Sequence, residues 1–275
     1  MVGLAFLALL PAGAAAAADV AACSARKGLY EEWLALSKRG GPGSFLGKGA
    51  LPRDASGAAT ETDKRRAIGR EYETFFQCLS GTAEQQDKQP LAAACAKATS
   101  DRLAAIVCQT ALYLKNGRVQ SKEFIDSVPA GKKGAELIWD LEAIAAEGPD
   151  EPRVPALFLP GGPAYKLVDE LFVLVLDDKE NAAAKYFNLW PGASDAGTRH
   201  MDEQVKLLVR ESPALVVKQW GVLWHYQPKL RNLASNMAEA LSRPELQSMR
   251  QGLAAFCAKD NPDCPEIQKI FGRPE

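Results

Sequence analysis

The sequence predicts an all-α protein, built as an antiparallel helical bundle or a short α-solenoid and stabilised by disulfides. Apolar residues recur with the 3.6-residue period along the chain, whereas alternating strand patterns are nearly absent. Several prolines stand immediately before apolar stripes. Proline is favoured at the first position of a helix, because the N–H that it lacks would have no hydrogen-bond partner there. The six cysteines are an even number, and the 47% hydrophobic content is enough to form a buried core.

The first eighteen residues, 1–18, have the pattern of a secretory signal peptide. They carry no charge and combine an apolar run, Leu4 to Leu10, with Ala16-Ala17-Ala18, which is typical of a cleavage site. We therefore expect maturation near Asp19 and export, to the periplasm or outside the cell. The alternative is a buried Ala-rich helix.

The cysteines provide a second indication of export. An even number in an oxidising compartment predicts three disulfides. We expect Cys257 to pair with Cys264 across a turn-forming run, and Cys78 with Cys95 and Cys23 with Cys108. All six lie beyond the cleavage site: Cys23, Cys78, Cys95, Cys108, Cys257 and Cys264.

A lipid anchor at Cys23 is the competing interpretation of the N-terminus. Val20-Ala21-Ala22-Cys23 resembles the lipobox of bacterial lipoproteins, whose cysteine is acylated after cleavage. In that family the apolar segment runs directly into the box, whereas here it ends at Leu10 and Asp19 intervenes. Acylation would also leave one thiol without a partner, so we favour the disulfide.

The first half predicts an N-terminal helical domain over 19–147. Its helices are expected at Leu29–Leu36, Thr62–Ser80, Pro90 onward, Leu103–Leu114 and Ala135–Glu147, with a Gly/Pro-rich loop over 39–60. Ser100-Asp101 is the expected cap of the fourth helix. The Pro-rich run after Gly148 cannot continue a helix and predicts a domain boundary.

The second half predicts a C-terminal antiparallel array over 163–275. Its helices are expected to open at Pro163, Pro213, Pro228, Pro244 and Pro265. Leu171–Leu176 contains β-branched residues, but Pro163 before it favours a helix over a strand. We expect Asp177-Asp178 to cap a following helix over 178–190.

The charge distribution excludes some partners. A net charge of −1 gives no whole-molecule attraction to nucleic acid or to an anionic membrane. Residues 24–70 nevertheless hold ten basic against five acidic side chains, and 142–203 hold five against twelve, so the two regions attract each other. Lys64-Arg65-Arg66 is expected on a solvated helix face. After the leader, no apolar run is long enough for a transmembrane helix.

Motifs for catalysis are weak. The chain has no phosphate-binding loop, no Gly-x-Ser-x-Gly elbow and no metal-ligand spacing, so no cofactor or metal is expected. Glu211-Ser212 resembles the Glu-Ser of lytic transglycosylases, but an N-cap role for Ser212 before Pro213 explains the pair. His200 lies among polar neighbours. Glu211 and His200 are thus the candidate catalytic residues, and the favoured interpretation makes neither catalytic.

These observations predict an exported, non-catalytic protein-binding module. Its expected partner is another envelope or secreted protein, for which it would serve as an inhibitor, immunity or assembly factor of the bacterial envelope. Helical arrays commonly present such recognition surfaces. The alternative is an envelope-polymer hydrolase, such as a muralytic enzyme, with Glu211 or His200 in its site.

Overall fold

The structure is a computed structural model that describes residues 23–39, 60–85, 87–98, 100–147, 154–179, 181–190, 193–211, 215, 238, 242–257 and 264–272. Within these residues the chain forms helices and no strand, which confirms the all-α class. The α-helices described there are α1 (Leu29–Arg39), α2 (Glu61–Glu84), α3 (Gln89–Ala98), α4 (Arg102–Lys115), α5 (Ser121–Ser127), α6 (Gly131–Ala146), α7 (Pro163–Leu176), α8 (Ala182–Leu189), α9 (Asp195–Glu211), α10 (Arg243–Cys257) and α11 (Cys264–Phe271). A 3₁₀ turn, Ala156–Phe158, precedes α7.

The longest described helix, α2, begins at a capping box. Thr60 Oγ1 accepts a hydrogen bond from the Asp63 N–H, and the Asp63 carboxylate accepts one from the Thr60 N–H. The predicted apolar stripe of α2 is buried, with Tyr72 and Leu79 fully inaccessible. Burying this stripe, rather than helix propensity alone, stabilises the helix.

Of the predicted capping pair Ser100-Asp101, Asp101 is the N-cap of α4, and it also connects two other helices. Its side chain is fully buried and accepts a hydrogen bond from the Ala104 N–H at 2.9 Å. The Tyr30 N–H at the start of α1 and the Tyr72 hydroxyl of α2 donate to the same carboxylate at 2.9 and 2.8 Å. Three donors satisfy a buried charge that would otherwise be costly.

The apolar run Leu171–Leu176 lies in α7, so the preference for a helix over a strand is confirmed. The expectation that Asp177-Asp178 caps the next helix is wrong. Asp177 is the C-cap of α7, and Asp178 has a left-handed backbone with φ of 51°. This left-handed residue belongs to the turn between α7 and α8, and α8 begins only after Asn181.

The helices pack as a bundle. In a solenoid each unit contacts only its neighbours along the chain. Here α2 packs against α4 and α6 as well as α1 and α3, α6 packs on α8, and α4 packs on α7. Short connections join several consecutive helices, including α3 to α4 and α7 to α8.

The expectation that Arg65 lies on a solvated face is wrong. Its side chain is buried and forms an ion pair with Glu147 across 3.4 Å. The Trp33 indole N–H donates to the other Glu147 oxygen at 3.2 Å. Burial raises the pKa of Glu147, and the charge of Arg65 opposes that rise. This ion pair is a contact between the basic and acidic regions of the sequence.

Two disulfides differ from the predicted pairing. Cys23 is bonded to Cys78, and Cys95 is bonded to Cys108, with Cα–Cα distances of 5.4 and 5.3 Å. The predicted pairs Cys78–Cys95 and Cys23–Cys108 are therefore wrong. The segment before α1 contacts the C-terminal half of α2, and the turn between α3 and α4 brings their cysteines together.

Cys257 is also disulfide-bonded. Its predicted partner, Cys264, is the first residue of α11, but its side chain lies outside the described residues, so this pair stays a prediction. The Cys23 sulfur is bonded to Cys78 and is not available for acylation. That bond argues against the lipid anchor.

Other predictions lie outside the described residues. They concern the signal peptide 1–18 with its cleavage near Asp19, almost all of the loop 39–60, the domain boundary after residue 147, and the helices opening at Pro213 and Pro228. Of the helices that the structure describes, none combines the length and the apolar character required to cross a membrane.

Candidate functional site

A pocket of about 240 Å³ lies between α2, α6 and the start of α7. Apolar atoms form most of its wall, and the lining includes one glutamate from α2 and one from α6. The 3₁₀ turn is preceded by Val154 and Pro155, which close one side. The lining residues are Glu73, Phe76, Glu142, Ala145, Ala146, Val154, Pro155, Gly161, Gly162, Pro163 and Tyr165.

Two hydroxyl groups fix the Glu142 carboxylate on this wall. The Tyr165 hydroxyl donates to Glu142 Oε1 at 2.8 Å, and the Ser194 hydroxyl donates to Oε2 at 2.7 Å. Ser194 also accepts a hydrogen bond from the Gly197 N–H in the first turn of α9. A carboxylate has about four acceptor positions, so Glu142 retains acceptor capacity after binding both hydroxyls.

Tyr165 lines the pocket and also contacts α6. Burial and the hydrogen bond to Glu142 raise the pKa of Tyr165 to about 12, so the hydroxyl remains a donor at neutral pH. Its ring packs edge-on against Trp139. Gly161 has a φ of +86°, and a side chain there would lie 3.1 Å from the Tyr165 ring. Glycine is thus required for the turn that places Tyr165 over the pocket.

His200 lies next to Tyr165. Its ring meets the Tyr165 ring edge-on with centroids 5.2 Å apart, and its Nε2 lies 2.6 Å from Asp169 Oδ1. Gln204 donates to the same Asp169 oxygen at 2.7 Å and accepts from the Tyr186 hydroxyl. The contacts of His200 and Gln204 with Asp169 therefore connect α9 to α7.

The two candidate catalytic residues, His200 and Glu211, both belong to α9. His200 pairs with Asp169, as the histidine of a catalytic triad would, but the described hydrogen bonds of His200 reach only Asp169 and Gln204. Glu211 is the last residue of α9, and its side chain lies outside the described residues. No group of metal-ligating side chains occurs in the described part of the chain.

Sequence reasoning missed Glu73, Glu142 and Tyr165. Each lies beside an apolar stripe that the sequence predicts. In sequence, each is therefore indistinguishable from an ordinary polar residue at the edge of a buried helix face. Their shared position depends on how α2, α6 and α7 pack. A usable signal was the Pro-Gly-Gly-Pro run at 160–163, which predicts a tight turn directly before Tyr165.

The chain matches no protein-family model, no curated protein and no solved structure. The pocket is a mostly apolar cavity whose lining residues include Glu73 and Glu142, and neither side chain forms an ion pair with another described residue. Such a cavity can hold an apolar group.

Proposed function

We propose that the chain is an exported protein-binding module that uses this pocket to hold a side chain of its partner. The observation that carries the proposal is the pocket itself. Its volume lies below the roughly 300–1,000 Å³ of pockets for drug-sized ligands, and its wall is mostly apolar. A cavity of that size suits one anchoring side chain, and buried anchors dominate the energetics of protein interfaces.

The surroundings of the pocket support an anchoring role. Val154 is 37% exposed at its edge, and Leu159, in the turn that follows, is 52% exposed. Apolar side chains around a cavity can exclude water from a contact that forms over it. The disulfides Cys23–Cys78 and Cys95–Cys108 support export, because such bonds persist in oxidising compartments.

A photo-crosslinking experiment tests the binding proposal. A benzophenone amino acid replaces Val154 in the full chain, expressed in its own cells, and replaces Glu123 in a control chain. Glu123 is an exposed residue of α5 that does not line the pocket. We expect a discrete protein adduct from position 154 that excess unlabelled chain suppresses, and none from 123. No adduct at 154, or the same adducts at both positions, contradicts the proposal.

Hydrolysis of an envelope polymer is the second candidate function. The observation that favours it is that two glutamates, Glu73 and Glu142, are among the residues lining one pocket, since glycoside hydrolysis uses a pair of carboxyl groups. Muralytic and esterase assays on the wild type, Glu142→Gln and His200→Ala test it. An activity that the wild type has and that Glu142→Gln lacks, at unchanged stability, would replace the binding proposal with this one.

A further inference from the structure

We propose that the chain, without its partner, forms a twofold dimer in which the Leu159 side chain of each copy fills the pocket of the other. The inference concerns the regulation of the proposed binding site and in that respect rests on the proposed function. Its observation is that an exposed apolar side chain directly adjoins an apolar pocket. Leu159 is 52% exposed, and Gly161, two residues further along the chain, lines the pocket.

The segment that carries Leu159 has the composition of an interface. Residues 154–165 contain no charged side chain. Four apolar residues of this short segment are nevertheless exposed to solvent: Val154, Ala156, Leu159 and Pro160. Apolar residues that cluster on the surface of a folded chain commonly mark a contact with another molecule. We therefore expect this segment to be covered when the chain is at work.

Twofold symmetry makes a second copy a suitable occupant. In a symmetric dimer the same surface meets itself, so each copy supplies both a projecting side chain and a receiving pocket. The Cα atoms of Leu159 and Gly161 are at most about 7 Å apart, so one axis beside them can exchange the two features. A twofold axis also brings like charges together, and the uncharged segment 154–165 avoids that repulsion.

The pocket has room for a leucine side chain. Its volume is about 240 Å³, whereas an apolar cavity of about 150 Å³ already accepts benzene. Phe76, Val154 and Pro163 supply apolar wall for the inserted side chain. The symmetry buries two leucines for each dimer, and each burial removes apolar surface from water. Because the contact depends on one short segment, we expect a weak dimer that a partner with a larger interface displaces.

Sedimentation of the purified mature chain over a concentration series tests the inference. We expect a monomer–dimer equilibrium with a micromolar Kd. Leu159→Gln should raise this Kd at least tenfold, because the substitution places an amide in an apolar pocket. Val119→Gln is the matched control and should leave the Kd unchanged, because Val119 is 79% exposed but belongs neither to the pocket nor to 154–165. Thermal unfolding checks that both variants are folded.

A benzophenone amino acid at position 159 locates the contact. Above the Kd, the purified chain should form an adduct of twice its own mass, attached at or beside pocket residues such as Phe76, Val154 or Tyr165. Attachment outside the pocket would overturn the inference. A monomer at every concentration, or a dimer that Leu159→Gln leaves intact, would also overturn it.

The dimer and the proposed function can fail separately. The dimer measurements use the purified chain alone, so absence of a dimer leaves a Val154 adduct with another protein unaffected. A dimer that forms as expected, without any Val154 adduct to another protein in cells, refutes only the proposed function. The two kinds of adduct are distinguished by mass, since the self-adduct weighs twice the chain.

Discussion

The Tyr72 hydroxyl donates a 2.8 Å hydrogen bond to Asp101 Oδ1, and both side chains are completely buried. The bond joins the middle of α2 to the first turn of α4. Burial, with the Asp101 charge, raises the pKa of Tyr72. The hydroxyl is therefore a permanent donor to a buried carboxylate, and the contact should contribute more than an average hydrogen bond.

Replacing Tyr72 with Phe should lower the free energy of unfolding by about 2 kcal/mol, because hydrogen bonds to charged groups contribute more than neutral ones. Chemical denaturation measures the loss. Tyr113→Phe is the control, because its ring stacks on Phe124 with centroids 4.5 Å apart and no described residue hydrogen-bonds its hydroxyl. It should cost less than about 0.5 kcal/mol. Equal losses in the two variants would contradict the special role of Asp101.

A second buried carboxylate gives a pH-dependent prediction. Glu170 is 2% exposed and accepts two hydrogen bonds from Arg118, at 2.7 and 2.9 Å. Burial acts to raise the pKa of Glu170, but the hydrogen bonds from Arg118 and Lys166 outweigh it and hold the pKa below its usual 4.5. A lowered pKa adds stability above the unfolded value and loses it as the pH falls through the folded one.

Arg118→Ala should therefore cost about 2 kcal/mol at neutral pH, with a smaller cost at an acid pH below the lowered pKa of Glu170. Denaturation curves at both pH values measure the difference. Lys122→Ala removes an exposed ion pair with Asp126 and should cost less than about 0.5 kcal/mol. A cost of Arg118→Ala that stays constant from neutral to acid pH would show that the ion pair is not its cause.

The two described disulfides close loops of very different length. Cys23–Cys78 spans 55 residues and Cys95–Cys108 spans 13. The chain-entropy model gives stabilisations of about 4 and about 3 kcal/mol, so replacing both cysteines of the longer loop with Ser should cost more. Peptide mapping without reduction checks the pairing first. Recovery of a Cys78–Cys95 peptide would refute the arrangement described for α1 to α4.

Two helical glycines form a matched pair for testing the packing of α9. A Cβ on Gly197 would lie 2.4 Å from the Trp139 ring, whereas a Cβ on Gly81 would meet nothing within 4 Å. Gly197→Ala should destabilise by about 2 kcal/mol through overpacking. Gly81→Ala should stabilise by about 0.5–1 kcal/mol, because alanine is the better helix former. Thermal unfolding shows whether each substitution stabilises or destabilises the protein. A stabilising Gly197→Ala would contradict the close contact of α6 and α9.

The elements that sequence predicts well are those fixed locally. The cap at Asp101 and the start of α7 at Pro163 follow from residues within one helical turn. The cysteine pairing was wrong because it depends on which helices become neighbours, as when Cys23 reaches Cys78 on α2. The lining of the pocket shares this property, since Glu73 and Glu142 line one pocket only through the packing of α2 on α6.

Mass spectrometry of the adduct formed at position 154 tests the binding proposal most directly, because it locates the contact on the partner. We expect attachment to one segment of a single partner protein that carries a large apolar side chain, because the pocket wall is mostly apolar. We also expect loss of the adduct when alanine replaces that side chain. Adducts spread over unrelated proteins, or an adduct that survives this replacement, would contradict binding through the pocket.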